Sequence, residues 1–364
     1  MSTTALPTEM RAIVCNKPED YTLETRPVPQ LGSDDMIIQV EAVGVCASDL
    51  KCYHGAVKFW GDENRPQWAK EDTIPGHEIT GTIVSGTDQA FNYHGVHEGD
   101  RIVIEQIVPC EECRFCLRGE YWMCGPHDMF GFRNFDGGMA EYMLVPKRAR
   151  VHKISSDVKP QHAAFAEPLA CSLHAVERAN IKFEDVVVIA GAGPIGLGAI
   201  MGTREKNPLT IVALDMDDAK LDLAKKCGAD ITINIAEEDA IAKIKEMTDG
   251  YGADVYIECT GHPSAVGQGL NLLRKLGTYV EYSVFGQDVS VDWSIISDDK
   301  ELSVLGAHLG PYTWPKAISL IESGKLPLDE VCTHQFPLEK FQEALDSVAD
   351  SAGSSIKVSI FPQQ

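Results

Sequence analysis

The chain has no long apolar run and few basic residues. Its longest apolar stretch, residues 186–202, is glycine-rich and shorter than a membrane-spanning helix needs. Lysine and arginine number 32 against 54 aspartates and glutamates, so the formal net charge is -22. Such an acidic surface repels phosphate backbones and anionic lipid, so neither nucleic acid nor a membrane is expected as a partner. The first residues show no basic stretch followed by an apolar core, so no signal peptide is predicted and a cytoplasmic location is expected.

The chain contains no repeat or low-complexity tract, and 364 residues are more than one ordinary domain needs. Residues 37–45, 79–86 and 100–107 are rich in Val and Ile, with Gly or Asp at or near an end of each run, which predicts strands. After about Gln161, strand-like runs alternate with helical patterns, which predicts a parallel sheet of βαβ units. We therefore predict an α/β protein in three parts: a β-rich domain at 1–168, a doubly wound parallel-sheet domain at 169–308, and a segment 309–364 that returns to the first domain.

A glycine-rich turn follows the apolar run VVVIA. Gly191, Gly193 and Gly196 form G-x-G-x-x-G between a predicted strand and a predicted helix, the arrangement that binds a dinucleotide pyrophosphate at a helix N-terminus. The alternative is a structural glycine turn in a sheet protein that binds no nucleotide. The predicted cofactor-binding residues are Gly191, Gly193, Pro194, Ile195, Gly196, Asp215 and Lys220.

An acidic residue ends the next predicted strand and distinguishes between the two dinucleotides. Asp215 is expected to accept hydrogen bonds from the ribose hydroxyls. Together with Asp217 and Asp218 it would repel a 2′-phosphate, so NAD is favoured over NADP.

Eleven cysteines are present, and four of them lie close together at Cys110, Cys113, Cys116 and Cys124. An odd total with one tight cluster fits metal binding better than a disulfide framework. Four thiolates close a tetrahedron around zinc and leave no open position, so this zinc would be structural. An iron–sulfur cluster is the rival, although its motif usually brings the fourth cysteine sooner and before proline. Unliganded thiols are the remaining alternative.

Several further stretches together resemble one family. They are GVCASDL, IPGHEITG, AEPLACSLHA and HQFPLEKFQEALD, in addition to the glycine turn and the cysteine run. Over nearly its whole length the sequence is similar to the zinc-containing medium-chain alcohol and polyol dehydrogenases. Glu167, in the EP position, resembles the sorbitol and threonine dehydrogenase branch, whereas the classical alcohol dehydrogenases carry Cys there. The resemblance implies a GroES-like β-rich catalytic domain and a Rossmann dinucleotide-binding domain.

The resemblance also implies a catalytic zinc, and hence two zinc ions per subunit. Cys46 and His77 are expected as ligands of this zinc, with Glu78 and Glu167 as further ligands, Glu167 directly or through water. Thiolate, imidazole and carboxylate suit zinc with an open position. Asp49 is expected to hold the far nitrogen of His77 and to fix its tautomer.

The implied reaction is hydride transfer from a secondary alcohol to NAD, with zinc as the Lewis acid that lowers the pKa of the alcohol. Ser48 is expected to pass the alcohol proton outward. Many members of the family carry a His where Lys51 stands, so the relay uses Lys51, a water chain or the cofactor ribose, and the sequence leaves these three open.

Two segments, 49–69 and 291–312, carry a narrower resemblance, which implies a four-carbon polyol substrate: erythritol or L-threitol, oxidised to erythrulose. The residues of the first segment that combine polar and aromatic groups are expected either to line the substrate pocket or to form a subunit contact. They are Tyr53, Lys58, Trp60, Asp62, Glu63, Asn64, Arg65 and Trp68.

Other functions compete with this one. Within the dehydrogenases, sorbitol, another sugar alcohol, a 2,3-diol or a threonine-like alcohol are alternative substrates. A zinc-free quinone or enoyl reductase of the same superfamily is a second class, which the zinc cysteines and Asp215 oppose. A non-enzymatic structural protein or a zinc-ribbon nucleic-acid binder is a third, opposed by the net charge of -22. The resemblance further implies a homo-oligomer, and a tetramer is expected.

Overall fold

The computed structural model describes residues 6–350 and 354–364. The strands are β1 (Glu9–Lys17), β2 (Asp20–Pro27), β3 (Met36–Val45), β4 (Glu78–Gly86), β5 (Arg101–Ile104), β6 (Ile107–Val108), β7 (Asp128–Met129), β8 (Tyr142–Val145), β9 (Val151–Lys153), β10 (Val186–Ala190), β11 (Thr210–Asp215), β12 (Ile231–Asn234), β13 (Ala253–Glu258), β14 (Leu273–Glu281), β15 (Ser303–Gly306), β16 (His334–Pro337) and β17 (Val358–Phe361). The α-helices are α1 (Ala47–Tyr53), α2 (Val57–Trp60), α3 (Asp88–His94), α4 (Arg114–Leu117), α5 (Pro160–Ala164), α6 (Ala166–Ala179), α7 (Pro194–Lys206), α8 (Asp218–Cys227), α9 (Ala240–Met247), α10 (Pro263–Leu272), α11 (Trp314–Glu322), α12 (Leu328–Val331) and α13 (Phe341–Ala349).

The chain forms two compact units. The first unit contains the described residues of Met1–Glu167, Ile318–Gly324 and Cys332–Gln364, and the second contains Pro168–Ala317 and Lys325–Val331. No helix among the described residues combines the length and the apolar character that crossing a membrane requires.

The first unit is built on a sheet with the strand order β16-β17-β3-β4-β5-β9, in which β8 also pairs with β3. All of these pairings are antiparallel except that of β16 with β17. β3 and β4 are long, and β3 and the first half of β4 are mostly buried, because their Val and Ile residues pack into the core. Register pairs Gly44 with Glu78, so the end of β3 lies beside the start of β4.

The second unit is built on a six-stranded sheet with the order β12-β11-β10-β13-β14-β15, and every pairing in it is parallel. Numbered from β10, this is the order 3-2-1-4-5-6 of a doubly wound dinucleotide-binding sheet. β10 reads VVVIA and all five residues are buried, as expected of a parallel strand covered on both faces. The predicted parallel sheet is therefore confirmed, and its topological switch point lies between β10 and β13.

Two expectations differ from the structure. Residues 100–107 do not form one strand: β5 ends at Ile104 and β6, in a separate two-stranded sheet, begins at Ile107. The Glu105 N–H still donates to Arg150 O, just before β9, whereas Gln106 O accepts from the Phe130 N–H, just after β7, so the backbone passes from one sheet to the other at these two residues. The division into units also does not follow a boundary after residue 308, since Gly310 packs on α6 and the Thr313 hydroxyl donates to Ala170 O at 2.7 Å.

Candidate metal centres and dinucleotide site

Three potential metal ligands meet where β3 ends and β4 begins. Cys46 is the N-cap of α1, directly after β3, while His77 and Glu78 lie at the start of β4. One ligand atom from each lies within 4.8 Å of the others, and His77 and Glu78 are almost fully buried. A thiolate, an imidazole and a carboxylate converging in this way match the donors that zinc prefers. The sequence spacing did not reveal this cluster, because it depends on the pairing of β3 with β4.

Asp49 connects two of these three residues. Its Oδ2 accepts a hydrogen bond from the Cys46 backbone N–H at 2.8 Å, and its Oδ1 lies 3.2 Å from His77 Nδ1. Asp49 is 2% exposed. Burial lowers the pKa of His77, but the neighbouring Asp49 carboxylate outweighs it and raises that pKa well above its usual range. A carboxylate on Nδ1 leaves Nε2 of the ring as the available metal ligand.

A lysine that was not predicted from the sequence lies beside Glu78. Lys357 forms a buried ion pair with the Glu78 carboxylate, with Nζ 2.5 Å from Oε1, and also donates to Val45 O at 2.9 Å. Burial lowers the pKa of Lys357, but Glu78 and then Cys46 raise it above its usual range. Lys357 precedes β17, which pairs with β3, and a lysine next to the apolar run VSIF was the one available signal.

Glu167 lies in the first turn of α6 and is 5% exposed. Its Oε1 accepts a hydrogen bond from the side-chain amide of Gln106, in the segment between β5 and β6. The group of ligand atoms within 4.8 Å of one another consists of Cys46, His77 and Glu78, and Glu167 is not part of it. Glu167 is thus a buried carboxylate held by an amide, and the break between β5 and β6 is what brings Gln106 to it.

Ser48 and Lys51 both belong to α1, the helix that Cys46 caps. Both side chains are half-buried, and Lys51 lies in the last turn. Lys51 is close enough to Lys58 to contribute, after burial itself, to lowering the pKa of Lys58. The structure therefore places the two proposed relay residues on the same short helix as the cysteine.

An aromatic cluster lies against the imidazole. The Phe132 ring centroid is 5.1 Å from that of His77, 5.5 Å from Trp68 and 5.4 Å from Phe59. Trp68 belongs to the predicted pocket segment, whereas Phe59 and Phe132 were not predicted. Phe132 lies 55 positions after His77, so only the folded chain reveals this flat apolar surface.

The other residues of the 53–68 segment have varied surroundings. Trp60 donates its indole N–H to Cys52 O at 2.7 Å, and Asp62 accepts backbone hydrogen bonds from Asn64 and Arg65 in a local turn. Tyr53 stacks edge-on with Tyr21, and its hydroxyl donates to Gln342 at 3.1 Å. The exposed residues of the segment include Lys58, Asp62, Glu63, Asn64 and Arg65.

The four clustered cysteines converge in space. Ligand atoms of Cys110, Cys113, Cys116 and Cys124 all lie within 4.8 Å of one another, and all eleven cysteines are free of disulfides. The Sγ atom of Cys116 is 3.6 Å from that of Cys113 and 3.9 Å from that of Cys110. A tetrahedron with Zn–S bonds of about 2.3 Å has edges of roughly 3.8 Å. The two sulfur–sulfur distances therefore match the edges of a zinc tetrahedron.

Backbone N–H groups support the thiolates of this cluster. Those of Cys110, Cys113 and Gly125 donate to Sγ atoms of Cys124, Cys110 and Cys113, respectively, at 3.3–3.4 Å. Hydrogen bonds from the backbone of Cys116 and Gly125 lower the pKa of Cys113 to about 6. A thiol that loses its proton this easily is suited to binding a cation.

The glycine-rich turn connects β10 with α7. Gly191 has a φ of +93°, in the region that favours glycine, and a Cβ on Gly196 would lie 1.7 Å from the Gly191 carbonyl oxygen. A Cβ on Gly193 would meet nothing within 4 Å, so this side of the turn is open to a ligand. Gly193 is the N-cap of α7 and Pro194 its first residue, followed by Ile195. The first turn of α7 therefore presents free N–H groups beside an open backbone, which suits a pyrophosphate.

Asp215 ends β11, next to this turn in the sheet. Its Oδ2 accepts a hydrogen bond from the Ala192 N–H at 2.7 Å, and its Oδ1 accepts from Met216 and Asp217. Asp217 caps α8 by accepting from the backbone N–H groups of Ala219 and Lys220, and the Lys220 side chain is half-buried. The carboxylate of Asp215 thus links the glycine turn to the following loop.

Comparisons with known proteins agree with this architecture. The "Alcohol dehydrogenase GroES-like domain" family matches residues 32–156, and the "Zinc-binding dehydrogenase" family matches residues 194–323. The chain belongs to the zinc-binding dehydrogenases, with a GroES-like domain and a Rossmann domain, and is an oxidoreductase. The predicted family and fold class are both confirmed.

Individual relatives extend over the whole chain. An erythritol/L-threitol dehydrogenase of Mycolicibacterium smegmatis (strain ATCC 700084 / mc(2)155) is 65% identical over 358 residues, which is 98% of this chain and 99% of the relative. A sorbitol dehydrogenase of Halalkalibacterium halodurans is 32% identical over 94% of this chain and 96% of its own. A solved structure from Sinorhizobium meliloti 1021, described as a zinc-binding dehydrogenase bound to NADP, has a TM-score of 0.88 at 28% identity, covering 98% of this chain and 100% of that one.

Proposed function

We propose that this protein oxidises a secondary hydroxyl of erythritol or L-threitol to give erythrulose, transferring the hydride to NAD. The observation that carries the chemistry is the buried cluster of Cys46, His77 and Glu78. The substrate rests on the relative that is 65% identical over nearly the whole chain and is named for erythritol and L-threitol.

Cys46 and His77 are proposed as ligands of a catalytic zinc, with Glu78 and Glu167 as the further carboxylates of the site. The donor set fits zinc, and the orientation of His77 by Asp49 supports its role. When bound, zinc supplies a Lewis acid that lowers the pKa of an alcohol. The positive charge of Lys357 lies beside the Glu78 carboxylate, so the negative charge that this carboxylate brings to the metal site is already partly neutralised.

A second, structural zinc is proposed at Cys110, Cys113, Cys116 and Cys124. Sulfur–sulfur distances of 3.6 and 3.9 Å support this assignment, and so do the backbone N–H groups that donate to the thiolates. Two zinc ions per subunit follow.

NAD is proposed as the cofactor, bound by Gly191, Gly193, Pro194, Ile195, Gly196, Asp215 and Lys220. The Asp215 carboxylate beside the glycine turn supports NAD over NADP, because a 2′-phosphate near it would meet a like charge. Zinc chemistry is assigned to the first unit and dinucleotide binding to the second.

Ser48 is proposed to accept the alcohol proton, and Lys51 is proposed to pass it outward. Both residues lie on α1, soon after Cys46, which supports these roles. Trp68 and Phe132 are proposed to form the flat wall of the substrate pocket, because their rings lead directly to that of His77. If turnover of Ser48→Ala stays close to that of the unaltered protein, the relay role is wrong. If Trp68→Ala and Trp60→Ala leave kcat/KM unchanged for every polyol, the proposed position of the substrate pocket is wrong.

We infer that the protein is cytoplasmic and forms a homo-oligomer, for which a tetramer is proposed. Free thiols in two metal-binding clusters favour a reducing compartment, in which cysteines stay available to zinc. The tetramer follows from the resemblance to the sorbitol dehydrogenase branch and is checked by light scattering on the purified protein. The net charge of -22 supports a small-molecule substrate over nucleic acid.

The experiment that tests this function measures NADH formation with a panel of alcohols on protein of known zinc content. Erythritol, L-threitol, sorbitol, a 2,3-diol and threonine are compared, each before and after chelation. We expect the highest kcat/KM with erythritol or L-threitol, no activity after chelation, and recovery with added zinc. If only another alcohol reacts, the proposed substrate is wrong, but the zinc-dependent oxidation of an alcohol by NAD stands. If the protein instead catalyses an NADPH-dependent reduction without zinc, both proposals are wrong.

A further inference from the structure

Two carboxyl groups meet at the carboxyl edge of the parallel sheet in the second unit. Glu258 is the last residue of β13, Glu281 is the last residue of β14, and the two are register partners. Glu258 is fully buried and Glu281 half-buried, and register partners on neighbouring strands point to the same face of a sheet, so the two carboxyl groups lie side by side. Neither residue was singled out by the sequence, and neither belongs to the metal centres.

The hydrogen bonds of the two carboxyl groups differ. Glu258 Oε1 accepts from the Thr260 N–H at 2.7 Å, from the Gly261 N–H at 3.1 Å and from the Thr260 hydroxyl. Glu281 accepts from the Ser283 N–H at 2.8 Å and from the Tyr279 hydroxyl at 3.2 Å. More donors face Glu258, and such hydrogen bonds favour the ionised form of a carboxyl group, so the proton is assigned to Glu281. Burial and then the neighbouring Glu258 charge raise the pKa of Glu281 to about 7.

No cation neutralises this pair in the described part of the chain. The neighbouring titratable groups are Tyr256, Tyr279 and Cys259, and burial raises the pKa of each, so all three stay neutral. β10, β15 and α10, which pack on these strands, contain no charged residue, and the nearest histidines, His262 and His308, are exposed in the loops that follow β13 and β15. Two adjacent carboxyl groups without a cation share one proton near neutral pH.

The pair lies against the dinucleotide turn. Register places Glu258 beside Ala190, the residue before Gly191, and the nearest atom to a Cβ on Gly191 is Cγ2 of Thr260, at 3.0 Å. Thr260 is the residue that Glu258 holds by two hydrogen bonds. The loop that Glu258 holds is therefore the one that packs on the glycine turn.

The strand order defines which half of a dinucleotide this edge faces. Asp215 lies on β11, to one side of β10, whereas Glu258 and Glu281 lie on β13 and β14, to the other side. A dinucleotide with its pyrophosphate at the β10–α7 turn and its adenine ribose at Asp215 extends its nicotinamide half over β13 and β14. The oxidised nicotinamide ring carries a positive charge and the reduced ring carries none.

We propose that Glu258 and Glu281 share one proton and, by presenting one negative charge or two beneath the nicotinamide half, make the preference for the oxidised over the reduced dinucleotide increase with pH. The inference rests on the proposed use of NAD. At a pH below the one at which the pair titrates, the pair carries one negative charge, which attracts NAD+ weakly. At a higher pH, Glu281 has released its proton to solvent, and the second negative charge favours NAD+ without a matching gain for NADH. By linkage, binding of NAD+ releases a fraction of a proton and binding of NADH does not.

The test is calorimetric titration of the zinc-loaded protein with NAD+ and with NADH, from about two pH units below to about two above 7. We expect the ratio of the Kd of NADH to that of NAD+ to rise roughly fivefold or more across this range. Repeating the titrations in buffers of different ionisation enthalpy gives the protons released. In the apoprotein, the infrared band of a protonated carboxyl is expected near neutral pH and lost at high pH.

Glu281→Gln keeps the shape of the protonated side chain and removes its titration, so the fivefold rise of the Kd ratio and the infrared band should both disappear. A rise of the same size in this variant would assign the titration to the zinc site and overturn the inference. Glu246→Gln, an exposed change of the same kind on α9, is the matched control, and His262→Gln tests the nearest histidine; both should behave as the unaltered protein. A pH-independent ratio in a protein that binds both dinucleotides overturns this inference alone. If neither dinucleotide binds at any pH, the proposed use of NAD fails, and the inference with it.

Discussion

Lys357 and Glu78 form a buried ion pair across 279 positions of sequence, with Lys357 Nζ 2.5 Å from Glu78 Oε1. The carboxylate belongs to the candidate catalytic zinc site, and the lysine comes from the segment that leads into β17. The site is therefore built from both ends of the first unit.

Replacing the lysine tests how strongly the fold depends on this pair. Lys357→Met leaves a buried carboxylate without its cation, so the free energy of unfolding should fall by roughly 3 to 5 kcal/mol. Adding Glu78→Gln should restore part of the loss. The control is Lys316→Met, which breaks an exposed pair with Glu205 at 3.6 Å and should cost about 1 kcal/mol or less. Denaturant unfolding measures all four proteins, and equal losses for the two lysines would contradict the prediction.

Asp49→Asn tests the orientation of His77. The Asn oxygen can still accept from the Cys46 N–H, but its amide no longer attracts the His77 ring N–H, so zinc affinity or kcat should fall roughly 10- to 100-fold. Asp35→Asn is a matched control, because Asp35 accepts from the Gly32 N–H at 3.0 Å with the same sequence spacing and lies at neither metal centre. Competition with a zinc chelator measures the affinity. An Asp49 variant that retains zinc and kcat as the Asp35 variant does would rule out the orienting role.

Cys113→Ala tests the four-cysteine cluster. Three remaining thiolates no longer close the tetrahedron, so we expect one zinc fewer per subunit and a clear loss of thermal stability. Cys227→Ala also removes a thiol, in this case a buried one on α8 far from any cluster in sequence, and should keep the full zinc content. Elemental analysis of both purified variants measures the number of zinc ions per subunit. An unchanged zinc content in Cys113→Ala would mean that the cluster holds no metal.

Asp215→Asn tests the choice of dinucleotide. Loss of the carboxylate charge leaves one weaker, neutral acceptor for the ribose hydroxyls and removes the repulsion of a 2′-phosphate, so the preference for NAD over NADP should fall about tenfold. Asp222→Asn removes an exposed charge on α8 that pairs with Lys225 and should leave the preference unchanged. Binding constants for both dinucleotides give the ratio. A ratio that is the same in both variants would remove Asp215 from the site.

The raised pKa of Glu281 also predicts how stability changes with pH. The pKa rises from 4.5 in the unfolded chain to about 7 in the folded one, so the protonated form is favoured by folding. The contribution of Glu281 to the free energy of unfolding is fully present below about pH 4.5 and is lost as the pH rises through about 7. Relative to Glu281→Gln, the unaltered protein should therefore lose roughly 1 to 3 kcal/mol of stability between these limits. Urea unfolding of both proteins at matched pH values measures it, and parallel stability curves would contradict the assignment.

Local patterns predicted the parts of this protein that depend on short stretches of chain. Gly191, Gly193 and Gly196 lie between a buried strand and a helix, and Cys110 to Cys124 lie close enough in sequence to converge without long-range pairing. The parallel sheet followed from the alternation of strands and helices. Family and fold class came from the combined motifs, and the comparisons confirm both.

The remaining features depend on contacts between distant residues. Phe132 reaches His77, Gln106 reaches Glu167 and Lys357 reaches Glu78 only because strands pair across the first unit. The Glu258–Glu281 pair depends on the register of β13 and β14, which no local pattern reports. Because a single sequence shows which side chains are polar but not which of them meet, these partners became visible only in the folded chain.

The buried ion pair also has a consequence for how a cell makes this protein. Glu78 leaves the ribosome long before Lys357, and the residues of the second unit are synthesised in between. During that interval the nascent first unit carries a carboxylate without its cation and a sheet without β16 and β17. Its open edge is a surface to which chaperones or other strands can bind. Translation therefore completes the second unit before the first can close.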